Sequence, residues 1–390
     1  GGYSILDKGV KYSWPDGSEE ISLGSGLGEI NISLTDLLPS TSYTIQAYAT
    51  NENGKAYGPQ VSFTTRFNTY EEALAYLDYH AYPLLHIIAV GEGNHSDFGV
   101  KSFDIISDLM GNDMVLHSSS YGWFFNNYNY TFHLMKSAKT TMDVWKRLYL
   151  LVDQVNFVID NIDLATGPIE EKNSIKAQAY SLRAFAHFYL VQLFSPAYSN
   201  NSNAPGIPYI TGGGKGSIPP VISFNNEGSA SELQQYVDEI VLYNSENVSK
   251  NQKSGSAILQ RGTVSDVYNQ LQIDLDNAIT LFQSGVARVN IQHVDLSVAH
   301  GLRARVALAM EDWINASNNA DAAILAAETD GKALYITSNY NSDGFNSVFG
   351  SEWMWGTEKT EENATMYASF FSHMDATVMS YAQLGLQKKI

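Results

Sequence analysis

The sequence predicts a mainly α-helical protein with long loops, preceded by a small β-sandwich. Three observations carry that expectation. The apolar period changes near residue 66 from the alternation of strands to the spacing of helices. Turn-forming residues punctuate the alternating part, and helix-turn-helix spacing recurs in the second half. The expected organisation is a β-sandwich over residues 1–66 and a helical body over 67–390.

In the first part Val10, Tyr12 and Trp14 alternate with Lys11 and Ser13, and Ile30, Ile32 and Leu34 with Asn31 and Ser33. Tyr43, Ile45, Ala47 and Ala49 alternate in the same way with Thr44, Gln46, Tyr48 and Thr50. Period two puts one side chain in the core and the next in solvent, so each run predicts a half-buried strand. Pro15-Asp16-Gly17, Gly24 to Gly28 and Asn51 to Lys55 supply the turns.

Beyond Phe67 the apolar residues Ile175, Ala179, Leu182, Ala186, Tyr189 and Leu193 fall four, three, four, three and four apart, one stripe along a helix. Ala184, Phe185 and Phe188 add apolar surface off the stripe, so this helix should be buried on most sides, with Pro196 ending it. Arg183 on its more polar face reads as a buried ion-pair partner, and His187 beside it as structural, because arginine is rarely buried alone. A second helix should start at Thr263, whose hydroxyl can cap it with Asp266 in the first turn. Ser297–Met310 and Trp313–Ala327 repeat the design, with Ala316, Ala320 and Ala323 where two helices approach closely. Such pairs build tetratricopeptide-like arrays, although the strict repeat consensus is absent. Residues 199–260, rich in Asn, Ser, Gly and Pro, form a long connection with one expected short helix over Ala230–Val241.

Composition restricts the function. With 23 Lys and Arg against 41 Asp and Glu, the net charge of −18 repels phosphate backbones and anionic lipid, which argues against nucleic-acid binding and polybasic membrane docking. The absence of cysteine removes disulfides, thiolate metal sites and cysteine nucleophiles. The histidines lack a His-Glu-x-x-His spacing, no Gly-x-Ser-x-Gly elbow occurs, and Gly212 to Gly214 lack the lysine-serine pair of a phosphate loop, so no cofactor, metal or enzyme class is expected. The 24 Tyr, 17 Phe and 6 Trp, in a chain of low charge, suit a neutral polyhydroxylated ligand.

Two resemblances extend this reading. Leu38-Pro39-Ser40-Thr41-Ser42-Tyr43, the strand that follows it and the closing Tyr57 to Thr65 resemble the tyrosine-corner region of fibronectin type III modules, which implies a spacer. The larger resemblance rests on five blocks in order: Ser107 to Asp113; Tyr121-Gly122-Trp123; Ala177 to Leu190; Gly206-Ile207-Pro208; and Thr263 to Tyr268 leading into Asp274-Leu275. Together they resemble the SusD/RagB family of nutrient-binding lipoproteins. That resemblance implies an oligosaccharide ligand and a SusC-like TonB-dependent transporter as partner. It also implies a surface-exposed place at the outer membrane, reached through an N-terminal lipid anchor not in this chain. The family's C-terminal Arg- and Trp-bearing segment is missing, so the sequence reads as truncated at both ends.

Sugar rings stack their apolar faces on aromatics and give their hydroxyls to amides and carboxylates. The candidate glycan contacts are therefore Tyr121, Trp123, Asn126, Asn127 and Tyr128, and then Trp353 with Trp355, both groups in segments that read as loops. Two other classes stay open. Asp104, Asp108 and Asp113 could serve glycoside hydrolysis, which needs only two carboxylates, and a helical repeat could dock a protein with no sugar site.

Overall fold

The computed structural model describes residues 4–26, 32, 34, 37, 41–85, 99–111, 113–116, 122–132, 138–212, 261–332, 348–350, 352–357 and 384–386. The alternating part becomes one antiparallel sheet: β1 (Asp7–Trp14), β2 (Gly17–Ser22), β3 (Ser42–Asn51), β4 (Gly54–Tyr57) and β5 (Val61–Thr64). The order is β2-β1-β3, with β4 and β5 both paired to β3. Register sets Val10 opposite Ala47, Tyr12 opposite Ile45 and Tyr43 opposite Phe63, so the expected apolar residues share a face. On it Tyr12 stacks on Trp14 and Tyr43 on Phe63, ring centroids 5.6 Å apart in each pair.

The sandwich expectation is met only as far as this one sheet. Of the Ile30–Leu34 run only Ile32 and Leu34 are described, and neither lies in a strand. Tyr48 departs from the alternation, since it sits on the polar face and is nonetheless buried. The reason is local: a Cβ on Gly9 would come 2.9 Å from the Tyr48 ring, so glycine lets the ring lie on the backbone, and the Lys55 ammonium covers it 3.9 Å from the centroid.

Phe67 is the first residue in the helical core, edge-on to Tyr76 and Phe157. The helices are α1 (Tyr70–Tyr76), α2 (Val100–Met110), α3 (Phe125–Tyr128), α4 (Lys139–Asn161), α5 (Ile169–Phe194), α6 (Tyr198–Asn201), α7 (Val264–Gln283), α8 (Leu296–Ala309) and α9 (Trp313–Thr329). Among the described residues none is long and apolar enough to cross a membrane. α5 lies between α4 and α7, and its buried residues run all the way round, from Ile175 and Ala177 to Leu190 and Val191. The expected stripe is buried except towards its end, where Leu193 in the last turn is 44% exposed. α8 packs on α7 and α9 on α8, with Ala323 and Ala327 at the α8–α9 contact.

The expected start of α7 is observed as a complete capping box. The Thr263 hydroxyl accepts from the Asp266 N–H, and the Asp266 carboxylate accepts from the Thr263 N–H at 2.9 Å. Thr263→Ala should therefore lower stability by about 1 kcal/mol, read as a shifted urea midpoint at constant slope.

The long connection is described from 199 to 212, where it lies on the helices: the Tyr149 hydroxyl donates to the Pro208 carbonyl and Asn156 Nδ2 to that of Ile210. Gly206 permits the closest approach, for a Cβ there would stand 2.8 Å from the Thr263 carbonyl oxygen. The helix expected over Ala230–Val241 lies outside the described residues. A short strand β6 (Met114–Leu116) pairs antiparallel with β7 (Leu384–Leu386), which brings the far end of the chain beside α2 and α3. No periodicity announced that pairing.

Candidate functional site

The aromatic and amide cluster of residues 122–131 stands on a small apolar footing. Ile105 and Leu109 of α2, Met114 of β6 and Phe124 are buried together, with Trp123 and Tyr128 half-buried against them. Three positive φ angles shape the segment, at Gly122 (75°), Phe124 (59°) and Tyr130 (57°). For Phe124 and Tyr130 this left-handed conformation costs about 1–2 kcal/mol each, because Cβ crowds the carbonyl oxygen. The surroundings hold both in place. Phe124 is buried, and the Tyr130 hydroxyl donates to the Met110 carbonyl at 2.5 Å.

The two reversals turn the neighbouring rings outward: Phe125 is 44% and Tyr130 43% exposed. Between them the amides are partly committed. The Thr131 hydroxyl donates chiefly to the Asn126 carbonyl at 2.9 Å, with Asn126 Oδ1 3.2 Å from it and Nδ2 left to donate, while Asn129 Nδ2 donates to the Phe125 carbonyl at 3.0 Å, leaving its Oδ1 to accept. The result is two fixed aromatic surfaces with one donor and one acceptor amide beside them. Residues 122–132 contain no charged side chain. Such a surface suits a neutral ligand with an apolar face and hydroxyl groups.

The seven residues expected from sequence divide accordingly. Trp123, Asn126 and Tyr128 lie in this cluster, and Tyr121 lies outside the described residues. Asn127 is in the same short helix but turned inward, 7% exposed. Trp355 is half-buried and packed against the helical core: its ring stands edge-on to Phe185 with centroids 5.5 Å apart, and its indole N–H donates to the Gln292 carbonyl at 2.7 Å. Trp353 is half-buried two residues before it. Phe125, Asn129 and Tyr130 were missed by sequence reasoning. They stand in a run of aromatics and asparagines, but which ring faces outward depends on the backbone reversals at Phe124 and Tyr130.

Of the three carboxylates weighed for hydrolysis, one is engaged by neighbouring side chains. Asp104 accepts from the Tyr189 hydroxyl at 3.0 Å and lies 3.7 Å from the Lys101 ammonium. Burial, with Asp104 and Asp113 nearby, raises the Asp108 carboxyl above the usual carboxylate range.

A buried polar cluster joins α4, α5 and α7 to the 206–212 segment. Arg183 forms a two-pronged pair with Asp274, Nε and Nη2 each 2.6 Å from a carboxylate oxygen, and Nη1 donates to Asn156 Oδ1 at 2.8 Å and the Thr211 carbonyl at 3.0 Å. Tyr209 donates to Asp274 at 2.7 Å and stacks on His187 at 3.8 Å. His187 Nε2 accepts from the Ile210 N–H, so its proton sits on Nδ1 and faces the Arg183 carbonyl. Burial and the adjacent guanidinium push the imidazole down to about 3, keeping it neutral. The structural roles read for Arg183 and His187 are those observed.

Residues 85–308 match the family model described as SusD-like, "Starch-binding associating with outer membrane". The chain belongs to the SusD-like family. Its fold is also that of a SusD-like carbohydrate binding protein from Bacteroides vulgatus, with TM-score 0.60 and 24% identity over 79% of this chain and 54% of that one. A putative sugar binding protein from the same organism gives TM-score 0.61 and 20% identity over 82% of this chain and 60% of that one. This SusD-like chain thus spans somewhat more than half the length of both. No curated protein sequence matches it. Four of the five sequence blocks that carried the resemblance prove to be scaffold. Arg183 and Asp274 join two of them, the Gly206 block packs on the Thr263 block, and the α2 block supplies the apolar footing. The sugar-facing candidates lie at and just after the remaining one, Tyr121-Gly122-Trp123.

Proposed function

We propose that this SusD-like chain captures neutral oligosaccharides on the outer surface of the outer membrane and passes them to a SusC-like TonB-dependent transporter, without catalysing their cleavage. The observation that carries the sugar reading is the charge-free platform of Phe125 and Tyr130 beside the Asn126 donor and Asn129 acceptor. Trp123 and Tyr128 support it from below, and Tyr121 adjoins it in sequence. Family membership supports the location and the partner, and a lipid anchor outside this sequence is the attachment we infer. The N-terminal sheet, with its buried Tyr43, is read as part of a fibronectin-like spacer ahead of the helical body that begins at Phe67.

Calorimetric titration against a panel of plant, host and fungal oligosaccharides tests the reading. At least one neutral glycan should bind, and the Phe125→Ala/Tyr130→Ala double variant should weaken it about tenfold or more, since paired aromatic anchors dominate such sites. Undiminished affinity in the double variant would move the site elsewhere. Release of reducing sugar from the bound glycan would replace the binding reading with a hydrolytic one. If no glycan binds while a transporter co-purifies, the docking reading takes its place.

A further inference from the structure

β6 (Met114–Leu116), which borders the glycan platform, is only 3 residues long. It leaves α2 through a turn in which the Gly111 N–H donates to the Ser107 carbonyl at 2.7 Å and the Asp113 N–H to that of Asp108 at 2.9 Å. The strand then touches α2 and α3, and Met114, 3% exposed, closes the apolar footing with Ile105, Leu109 and Phe124. A strand this short has no stability of its own. Its backbone partner is β7, distant in sequence, with Met114 opposite Leu386, Val115 opposite Gly385 and Leu116 opposite Leu384.

The geometry of the platform depends on that footing. Phe124 and Tyr130 keep left-handed backbone angles of 59° and 57°, and such conformations persist only where the surroundings fix them. Phe124 is fixed by burial in the cluster that includes Met114, and Tyr130 by its hydrogen bond to the Met110 carbonyl at the end of α2. Phe125 lies between the two reversals, so the direction of its ring follows from both. When β6 moves, the cluster around Phe124 opens and its backbone can relax to an ordinary angle.

Building on the sugar reading of this site, we propose that pairing with β7 positions the glycan platform. The ribbon of 114–116 and 384–386 holds the footing closed, and a glycan seated on Phe125 and Tyr130 holds the ribbon together in return. Coupling between two sites is reciprocal, so what the ribbon adds to glycan affinity the glycan adds to the ribbon.

The test is Leu384→Pro/Gly385→Pro. Successive N–H groups of a strand point to opposite edges and proline has none, so the pair removes a bond to β6 whichever of the two faces it. Hydrogen exchange reads the effect without any ligand. The amides of Phe125 and of residues 128–131, all bonded within the platform segment, should exchange about tenfold faster in the variant, as a local opening does, while those of α5 keep wild-type rates. Unchanged exchange over 125–131 overturns the proposal. Equal acceleration in α5 overturns it too, because the ribbon would then serve the whole fold. With a glycan from the panel, the variant should bind about tenfold more weakly, inside the usual range of coupling, and the glycan should slow exchange at 114–116 in the wild type. Equal affinity, or no slowing at 114–116, overturns the coupling. A wild-type protein that binds no glycan overturns the sugar reading instead, since exchange over 125–131 still decides whether β7 sets this segment.

Discussion

Arg183→Ala is expected to destabilise the protein by about 3–5 kcal/mol, the range for removing one member of a buried ion pair. The loss goes beyond one bond. Asp274 would be left deep in the core with only Tyr209 and Gln270 to donate to it, and the Asn156 amide and Thr211 carbonyl would lose a donor as well. Because these groups tie α4, α5 and α7 to the 206–212 segment, the deficit spreads over the centre of the fold. Urea unfolding measures it, and Arg183→Ala/Asp274→Asn separates two accounts. If the uncompensated carboxylate is the cause, the double variant recovers part of the loss. If it is as unstable as the sum of the single variants, the charge of Asp274 is not what the arginine serves.

Trp355→Ala should cost about 3 kcal/mol and leave glycan affinity unchanged. Truncating a packed tryptophan removes its contact with Phe185 and leaves a void, and it strips the Gln292 carbonyl of its donor. Loss of stability with wild-type calorimetry on the bound glycan would assign Trp355 to the core. Loss of glycan binding with little change in stability would instead return it to the ligand surface and bring Trp353 with it.

The contrast between Trp355 and Phe125 shows what a single sequence conceals. Both are aromatics in segments that read as loops, and only the tryptophan was among the expected contacts. The structure packs Trp355 half-buried against the helical core and leaves Phe125 44% exposed. In the same cluster Asn126 and Asn127 are adjacent and chemically identical, and one is turned toward solvent and the other inward by the course of a single helical turn. Glycine and asparagine in this stretch signal a turn, but the left-handed Phe124 and Tyr130 carry no local signature. Their conformation is held by burial and by a hydrogen bond to the carbonyl of a residue 20 positions away.

What the sequence determined alone was everything set by short-range periodicity and stereochemistry. The sheet alternation before residue 66, the stripe and all-round burial of α5, the start of α7 at Thr263, the α8–α9 pair and the buried role of Arg183 each follow from neighbours within a few turns of chain. The tertiary structure decided what depends on distant partners. It paired Met114–Leu116 with Leu384–Leu386, set Asp274 against Arg183, packed Trp355 against the core and left Phe125 and Tyr130 exposed. Periodicity records which side of an element is buried; it does not record against what, and which rings stay exposed is decided only when the distant segments have packed.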